Sequence, residues 1–449
     1  MTPMMARSPR VALKTMGCRL NRVETDAIAL ALEQAGCELV SEGDADALVI
    51  NTCAVTAEAE AKCRKMVRHA LALPSGPVVV ATGCMATLFS DELADLSDNV
   101  KVETDKGKVA KALLDLAEKR WQSEDTGDDR TPVPSIDMGA PTPTGRTRPG
   151  VKVQDGCDNR CTFCIVWKAR GAARSVSPDE AANLVRQACE RGAHEVVLSG
   201  INLGSYRYDW HGSDLRLPGL LAYLMDNTDV DRLRLSSMEP PDITRELCEV
   251  IASSDGRVAP FLHVCLQSGC DATLRRMGRV YDTDLYRRVV NTARELIPSL
   301  ALGCDLIVGF PGETDAEFED SLAFCREMDF AKVHVFRYSR RPGTPAATMP
   351  DQVASEVAAE RSRRMRELAD RMRRANAGKL VGRRDLALVQ VPGRAVSSGL
   401  FDVLVDADLA VDSLAWVTPH GVQGSGTLDA RTALKGVSTP ERDTFATDR

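Results

Sequence analysis

The sequence predicts an α/β protein in three parts: an N-terminal parallel α/β domain, a partial (β/α)6 barrel of TIM-like type, and a small C-terminal β-barrel. Three observations predict it. Near the N-terminus, three short apolar runs each lead to a cysteine and then to a helical stretch. In the middle, strand-like and amphipathic helical segments alternate six times, as repeated βα units of a parallel sheet do. Near the C-terminus, short strand-like runs are separated by turn residues. The boundaries that follow are 8–120, a linker over 121–145, then 146–377 and 378–440.

Composition limits the function classes. A chain of 449 residues holds two or three domains with substantial cores, and 44% hydrophobic residues argue against a disordered protein. No run of about eighteen apolar residues occurs, so no membrane partner is expected. The stretch Met1 to Cys18 carries Arg7, Arg10 and Lys14 and lacks the apolar run of a signal peptide. Fourteen cysteines in such a chain point to a reducing cytoplasm, and to metal binding or catalysis over disulfides. The net charge is −7, so a nucleic-acid partner needs a local basic patch.

In the first domain the expected strands are Val11–Leu13, Ala47–Ile50 and Val78–Ala81. Cys18, Cys53 and Cys84 each lie just past one of them. In a parallel sheet with crossover helices those ends share one edge, where ligands usually bind. The three thiols are therefore expected to converge, the alternative being three ordinary buried cysteines. Cys37 and Cys63, away from the strand ends, are expected to be packing residues. Residues 121–149 are acidic and then rich in Pro, Thr and Gly, which is linker composition.

The second domain opens on Asp155-Gly156-Cys157-Asp158-Asn159-Arg160-Cys161-Thr162-Phe163-Cys164. Three thiolates on one tight loop suit three irons of a 4Fe–4S cubane and leave the fourth iron open. A structural zinc site wants four closed ligands, and no His or fourth Cys is near. A disulfide is disfavoured by the odd count and the cramped spacing. The expected strands are Val151–Gln154, Glu195–Leu198, Arg232–Leu235, Leu262–Leu266, Leu302–Val308 and Lys332–Phe336. Chemistry in such a barrel sits at the strand C-termini. There lie Ser199, Gly200 and Asn202, Ser236 and Ser237, Gln267, Gly309 and Gly312. Together they are expected to form a pocket whose glycines admit a ligand close to backbone.

Between Arg361 and Arg384 ten Lys or Arg face two acids, Glu367 and Asp370. Val357, Met365, Leu368 and Met372 recur at helical spacing and form an apolar seam. The arginines around it read as a solvated surface or as a contact for RNA phosphates. From Asp385 onward nine acids stand against five bases, Arg394, Arg431, Lys435, Arg442 and Arg449. The tail after Lys435 is expected to be disordered.

The cysteine loop, with Phe163 before its third cysteine, resembles the signature of radical S-adenosylmethionine (SAM) enzymes. Gly17-Cys18-Arg19-Leu20-Asn21-Arg22-Val23-Glu24-Thr25, Asn51-Thr52-Cys53-Ala54-Val55-Thr56 and Gly83-Cys84 resemble the N-terminal domain of methylthiotransferases within that group. Strand-end motifs running to Asp305–Thr314 and Phe336–Ala346 resemble the same family, as do Arg146 and Arg148 before the core. The last segment weakly resembles a TRAM domain, from which its acidic charge departs.

The resemblance implies two 4Fe–4S clusters, one on Cys18, Cys53 and Cys84 and one on Cys157, Cys161 and Cys164. It implies that the second chelates SAM and yields the 5′-deoxyadenosyl radical, while the first presents sulfur for methylation. Phe163 and the strand-end residues Ser199, Gly200, Asn202, Ser236, Ser237, Gln267, Gly309 and Gly312 are then expected to form the SAM pocket. The Gly17–Asp26 stretch looks most like the branch acting on N6-threonylcarbamoyladenosine at position 37 of tRNA. Branches acting on isopentenyladenosine in tRNA or on a ribosomal-protein aspartate are the alternatives. Implied partners are tRNA, SAM and an electron donor such as flavodoxin or ferredoxin. A non-catalytic electron carrier is disfavoured, because a carrier closes its cluster with four cysteines.

Overall fold

The computed structural model describes residues 8–121, 142 and 144–432. The expected linker interior and the tail after Lys435 lie outside the described residues. The chain divides into two compact units. One gathers Met1–Arg146, Asp155–Ala173 and Ser339–Thr344; the other Thr147–Gln154, Arg174–Tyr338 and Pro345–Arg449.

The first unit is built on a five-stranded, wholly parallel sheet. Its order places Glu38–Leu39 at one edge, then Arg10–Thr15, Ala47–Thr52, Val78–Gly83 and Val100–Val102. The two central strands are buried at every position, because helices cover both faces. Alternation along the strands divides the apolar side chains between those faces. Leu48, Ile50, Val79 and Ala81 pack with Cys63, Val67 and Ala70 of helix Ala57–Leu71. Val49, Val78 and Val80 pack with Ile28 and Leu32 of helix Arg19–Gln34 and with Val109 and Leu113 of helix Val109–Trp121. Each fully buried Val, Leu or Ile among them contributes about 1.5–3 kcal/mol. Cys37 belongs to the second of these clusters, as a packing residue.

The second unit carries six parallel strands in chain order. Gly150–Lys152, Glu195–Ser199 and Arg232–Leu235 form one three-stranded sheet; Phe261–His263, Ala301–Val308 and Lys332–Arg337 form another. Isolated parallel bridges, Leu233 to Val258 and Met238 to Val264, join them. The helices between the strands cover one face. The fourth strand is shorter than expected, and Gln267, just beyond it, adopts a left-handed φ of 65°. A hairpin that the sequence reading omits, Arg207–Trp210 with Ser213–Arg216, turns at His211-Gly212, both with positive φ.

The C-terminal segment is a six-stranded sheet, mainly antiparallel, with one parallel pair between Asp402–Leu404 and Thr427–Asp429. It is tied to the parallel strands by a buried ionic group. Arg232 and Arg234 both bond the fully buried Glu195 carboxylate. Arg232 Nη1 donates to the Leu386 carbonyl, and Arg234 Nη1 and Nη2 donate to those of Ser398 and Ser397. Burial alone would raise the Glu195 pKa; Arg234, Arg232 and Arg148 bring it down to about 2.

The basic segment forms helix Ser355–Gly378. Met365, Leu368 and Met372 form its buried seam, but Val357 is exposed and does not belong to it. Much of the positive charge is paired with acids, on the helix itself or from elsewhere. Arg361 is buried on Glu313 and Asp315, Arg363 bonds Glu360 and Glu367, Arg364 meets Glu319, and Arg373 meets Asp402. The exposed arginines of the helix are Arg363, Arg366, Arg371 and Arg374.

Candidate active site

Polar side chains stitch the strand ends of the first unit together. Asn21 donates its side-chain amide to the carbonyls of Met16 and Thr52, and Asn51 donates to the carbonyl of Asn21. The Thr52 hydroxyl donates to the Thr82 carbonyl and accepts from the Ala86 amide. Lys106 reaches Asn51 and Thr82 at 3.1 and 3.0 Å. The backbones approach so closely that a Cβ on Gly83 would stand 2.3 Å from the Thr52 carbonyl oxygen. One on Gly17 would meet Cys53 Sγ at 2.6 Å.

This stitching draws Cys18, Cys53 and Cys84 to one edge. Burial, joined by the neighbouring thiols of Cys18 and Cys84, pushes the Cys53 thiol up to about 12. Cys84 is also raised, by burial first, while Arg170 opposes the shift. Cys63 lies beside the group, its sulfur accepting from the Cys53 amide at 3.3 Å, and fills the core there.

The loop Asp155–Ala173 belongs to the same compact unit. Cys157, Cys161 and Cys164 stand together on it, and burial with its two neighbours pushes Cys164 up to about 11. The loop is held by backbone: the Cys157 amide donates to Gly171, and a Cβ on Gly156, at φ 73°, would stand 1.9 Å from the Ala172 carbonyl oxygen. Ile165, directly after Cys164, is buried in the apolar cluster that contains Cys53 and Cys84. Phe163 is half-buried in the loop.

Arg170 joins the two constructions, a role that the sequence reading missed. Its guanidinium pairs with buried Glu24, donates to Asn21 Oδ1 at 2.7 Å, and lies 3.3 Å from Cys84 Sγ. It also meets Asp155 at 3.4 Å. A cation there offsets negative charge on thiolates. Arg341, buried against Glu60, is a second cation of this unit and feels the charge of Cys53. The available signal was an arginine six residues after the last cysteine, which no spacing rule interprets.

Neither triad is gathered as tightly as a single ion requires. Among the described residues, the one His/Cys/Asp/Glu group with all ligand atoms within 4.8 Å is His263, Asp305 and His334. A lone zinc would hold its thiolates about 3.8 Å apart. The wider thiols suit the corners of a cubane, and three per site leave one corner open.

The eight pocket candidates lie in the second unit, just past or at the ends of its strands. Ser199 is buried, its hydroxyl on the Val197 carbonyl, and Gly200 donates to Ser236 Oγ at 3.3 Å. Ser237 accepts from Leu203 through its carbonyl. Asn202 donates to Asp242, while its Oδ1 is buried with no hydrogen-bond partner. That orphaned acceptor suits a ligand bearing a donor. Packing accounts for the glycines: a Cβ on Gly309 would meet Ala358 at 2.6 Å, on Gly312 Arg276 at 3.2 Å, and on Gly200 Gln154 at 2.7 Å.

Comparison with known proteins decides the family. The Radical SAM superfamily profile matches residues 151–325, and that of Uncharacterized protein family UPF0004 matches 10–104. Threonylcarbamoyladenosine tRNA methylthiotransferase MtaB of Bacillus subtilis is 37% identical over 366 residues, 81% of this chain and 80% of the relative. The chain belongs to the radical SAM methylthiotransferases. Among their branches this methylthiotransferase is most like that of the relatives named MtaB. A tRNA-2-methylthio-N(6)-dimethylallyladenosine synthase of Erythrobacter litoralis is 34% identical, covering 90% of this chain and 93% of the relative. In fold the methylthiotransferase resembles the radical SAM methyltransferase TsrM of Kitasatospora setae, with TM-score 0.53 and 16% identity over 76% of this chain and 75% of TsrM. It is an enzyme that inserts a methylthio group, and its cofactors are SAM and 4Fe–4S clusters. Among the described residues no helix is long and apolar enough to cross a membrane.

Proposed function

We propose that this methylthiotransferase converts N6-threonylcarbamoyladenosine at position 37 of tRNA to its 2-methylthio derivative. The observation that carries the reading is the stretch Gly17–Asp26, together with the likeness to relatives named for that nucleoside. Two thiol triads in one compact unit support a division of labour. Cys157, Cys161 and Cys164 would hold the cluster that binds SAM, and Cys18, Cys53 and Cys84 the cluster that delivers sulfur. These groups supply the radical and sulfur chemistry when bound. The protein's own share is to fix the thiols, to place Arg170 and Arg341 as cations beside them, and to offer Asn202 Oδ1 to a ligand. A flavodoxin or ferredoxin is the class of electron donor this chemistry needs.

Nucleoside mass spectrometry of tRNA from cells lacking the protein tests the substrate. We expect threonylcarbamoyladenosine to accumulate without its 2-methylthio derivative. The wild-type gene should restore the derivative and the Cys157→Ala gene should not. Unaltered levels, with no second enzyme of this type present, overturn the assignment. A methylthio group missing instead from isopentenyladenosine or a ribosomal protein moves the enzyme to a sister branch. Exposed Arg366, Arg371 and Arg374 are the better candidates for binding phosphate, since Arg363, Arg364 and Arg373 are already paired. Replacing those three by Gln should lower the salt slope of tRNA binding by about one for each phosphate left unneutralised.

A further inference from the structure

The strands Phe261–His263, Ala301–Val308 and Lys332–Arg337 carry polar groups on the face turned away from their helices. Leu262, Leu302, Cys304, Leu306 and Val308 point into the apolar core. The parallel register sets His263 against Gly303 and Asp305 against His334. Residues two apart on a strand share a face, so His263, Asp305 and His334 all lie on the side opposite the core.

We propose that His263, Asp305 and His334 form a binding site for one divalent transition-metal ion, using no cysteine. Their ligand atoms all lie within 4.8 Å of one another. His263 Nε2 is 3.1 Å from Asp305 Oδ1, yet it is a buried nitrogen without an aligned hydrogen bond. Two atoms bound to one ion at about 2.1 Å stand about that far apart without needing such alignment. The imidazoles of His263 and His334 stack with centroids 5.7 Å apart. Gly303 gives the His263 ring its place, since a Cβ there would come within 3.2 Å of Nδ1. Exposure rises from buried His263 through Asp305 to exposed His334, which gives an ion a way in.

Two imidazoles and one carboxylate with open positions suit Fe2+, Zn2+ or Mn2+ and disfavour the oxygen-seeking Mg2+ and Ca2+. The competing arrangement is an ordinary His–Asp pair with a second histidine stacked on it, which would bind no metal.

The test uses the full chain with both clusters reconstituted, so that cluster thiols do not compete. It is dialysed against Zn2+ alone, and iron and zinc are counted by inductively coupled plasma mass spectrometry. We expect the wild type to retain about one zinc per chain more than His334→Ala, at equal iron content. Asp305→Asn, which keeps the side-chain volume, should lose the same zinc. His334 is exposed, so its replacement leaves the fold intact, and an unchanged unfolding midpoint checks this. Equal zinc in wild type and His334→Ala, or none retained by the wild type, overturns the site.

Discussion

Cys157, Cys161 and Cys164 are supplied by one loop, whereas Cys18, Cys53 and Cys84 are supplied by three strand ends of a parallel sheet. The loop triad needs only local backbone: a glycine at 156, the turn back to Gly171, and Ile165 as an apolar anchor. The strand-end triad needs the whole sheet, with Asn21, Asn51, Thr52 and Lys106 holding its strands in register. Damage to the loop should therefore stay local, while damage to the sheet should spread. Arg170 is the point where this distinction is weakest, because it follows the loop cysteines and bonds Asn21, Glu24 and Cys84 beside the strand ends.

The largest expected effect comes from removing thiols. Cys161→Ala should abolish both SAM cleavage and methylthiolation. Replacing Cys18, Cys53 and Cys84 by Ala together should keep 5′-deoxyadenosine formation, abolish the methylthio product, and remove about half of the reconstituted iron. Deoxyadenosine lost in that variant, with its loop cluster intact by Mössbauer spectroscopy, would end the claim of independent roles.

Next is Arg170→Ala, which takes the paired guanidinium from buried Glu24 while Lys106 stays 3.6 Å from it. Urea unfolding of the apoprotein should show a loss of about 3–5 kcal/mol. Adding Glu24→Gln should recover part of it. No recovery would mean that Arg170 acts through Cys84 or Asp155 instead.

A smaller and more selective effect is expected from two glycines. Gly83→Ala and Gly156→Ala each force a side chain into a left-handed backbone and against a carbonyl, costing at least about 1–3 kcal/mol. Gly156→Ala should lose the loop cluster alone. Gly83→Ala should lose the strand-end cluster and lower the unfolding midpoint as well. The reverse pattern in the iron counts would invert the comparison.

The smallest effect is in pH. Burial holds the free thiol of Cys53 at about 12 and that of Cys164 at about 11. Iron must displace those protons, so both clusters weaken as pH falls, the strand-end one first. The offset is read as iron retention against a chelator across the pH range, measured on variants keeping one triad each. Equal retention across the titration would remove this difference.

The same contrast explains what the sequence disclosed. Three cysteines within eight residues are a local fact, and the loop was readable without a fold. The strand-end triad was readable only through topology: parallel strands put their C-terminal ends on one edge, and apolar runs ending in Cys marked them. The six parallel strands followed from alternation in the same way. Pairing between distant charged residues was not readable. The arginines of helix Ser355–Gly378 looked like a basic patch because the acids that pair them, such as Glu313, Glu319 and Asp402, lie elsewhere in the chain. Arg170, Lys106 and His334 were missed for the same reason: one residue's side-chain partner is a three-dimensional fact.

The carbonyls of Leu386, Ser397 and Ser398 that accept from Arg232 and Arg234 bear on how this gene can be recombined. A C-terminal sheet joined only by a tether could be exchanged as a cassette. This one caps two guanidinium groups that are 1% and 0% exposed, so cutting the chain before Asp385 takes away three acceptors and uncovers the ionic group they close. A graft from a relative would succeed only if its own main chain offers three oxygens at the same places, whatever side chains it brings. Compatibility between halves of a chimera is thus written in backbone, where sequence comparison is least able to see it.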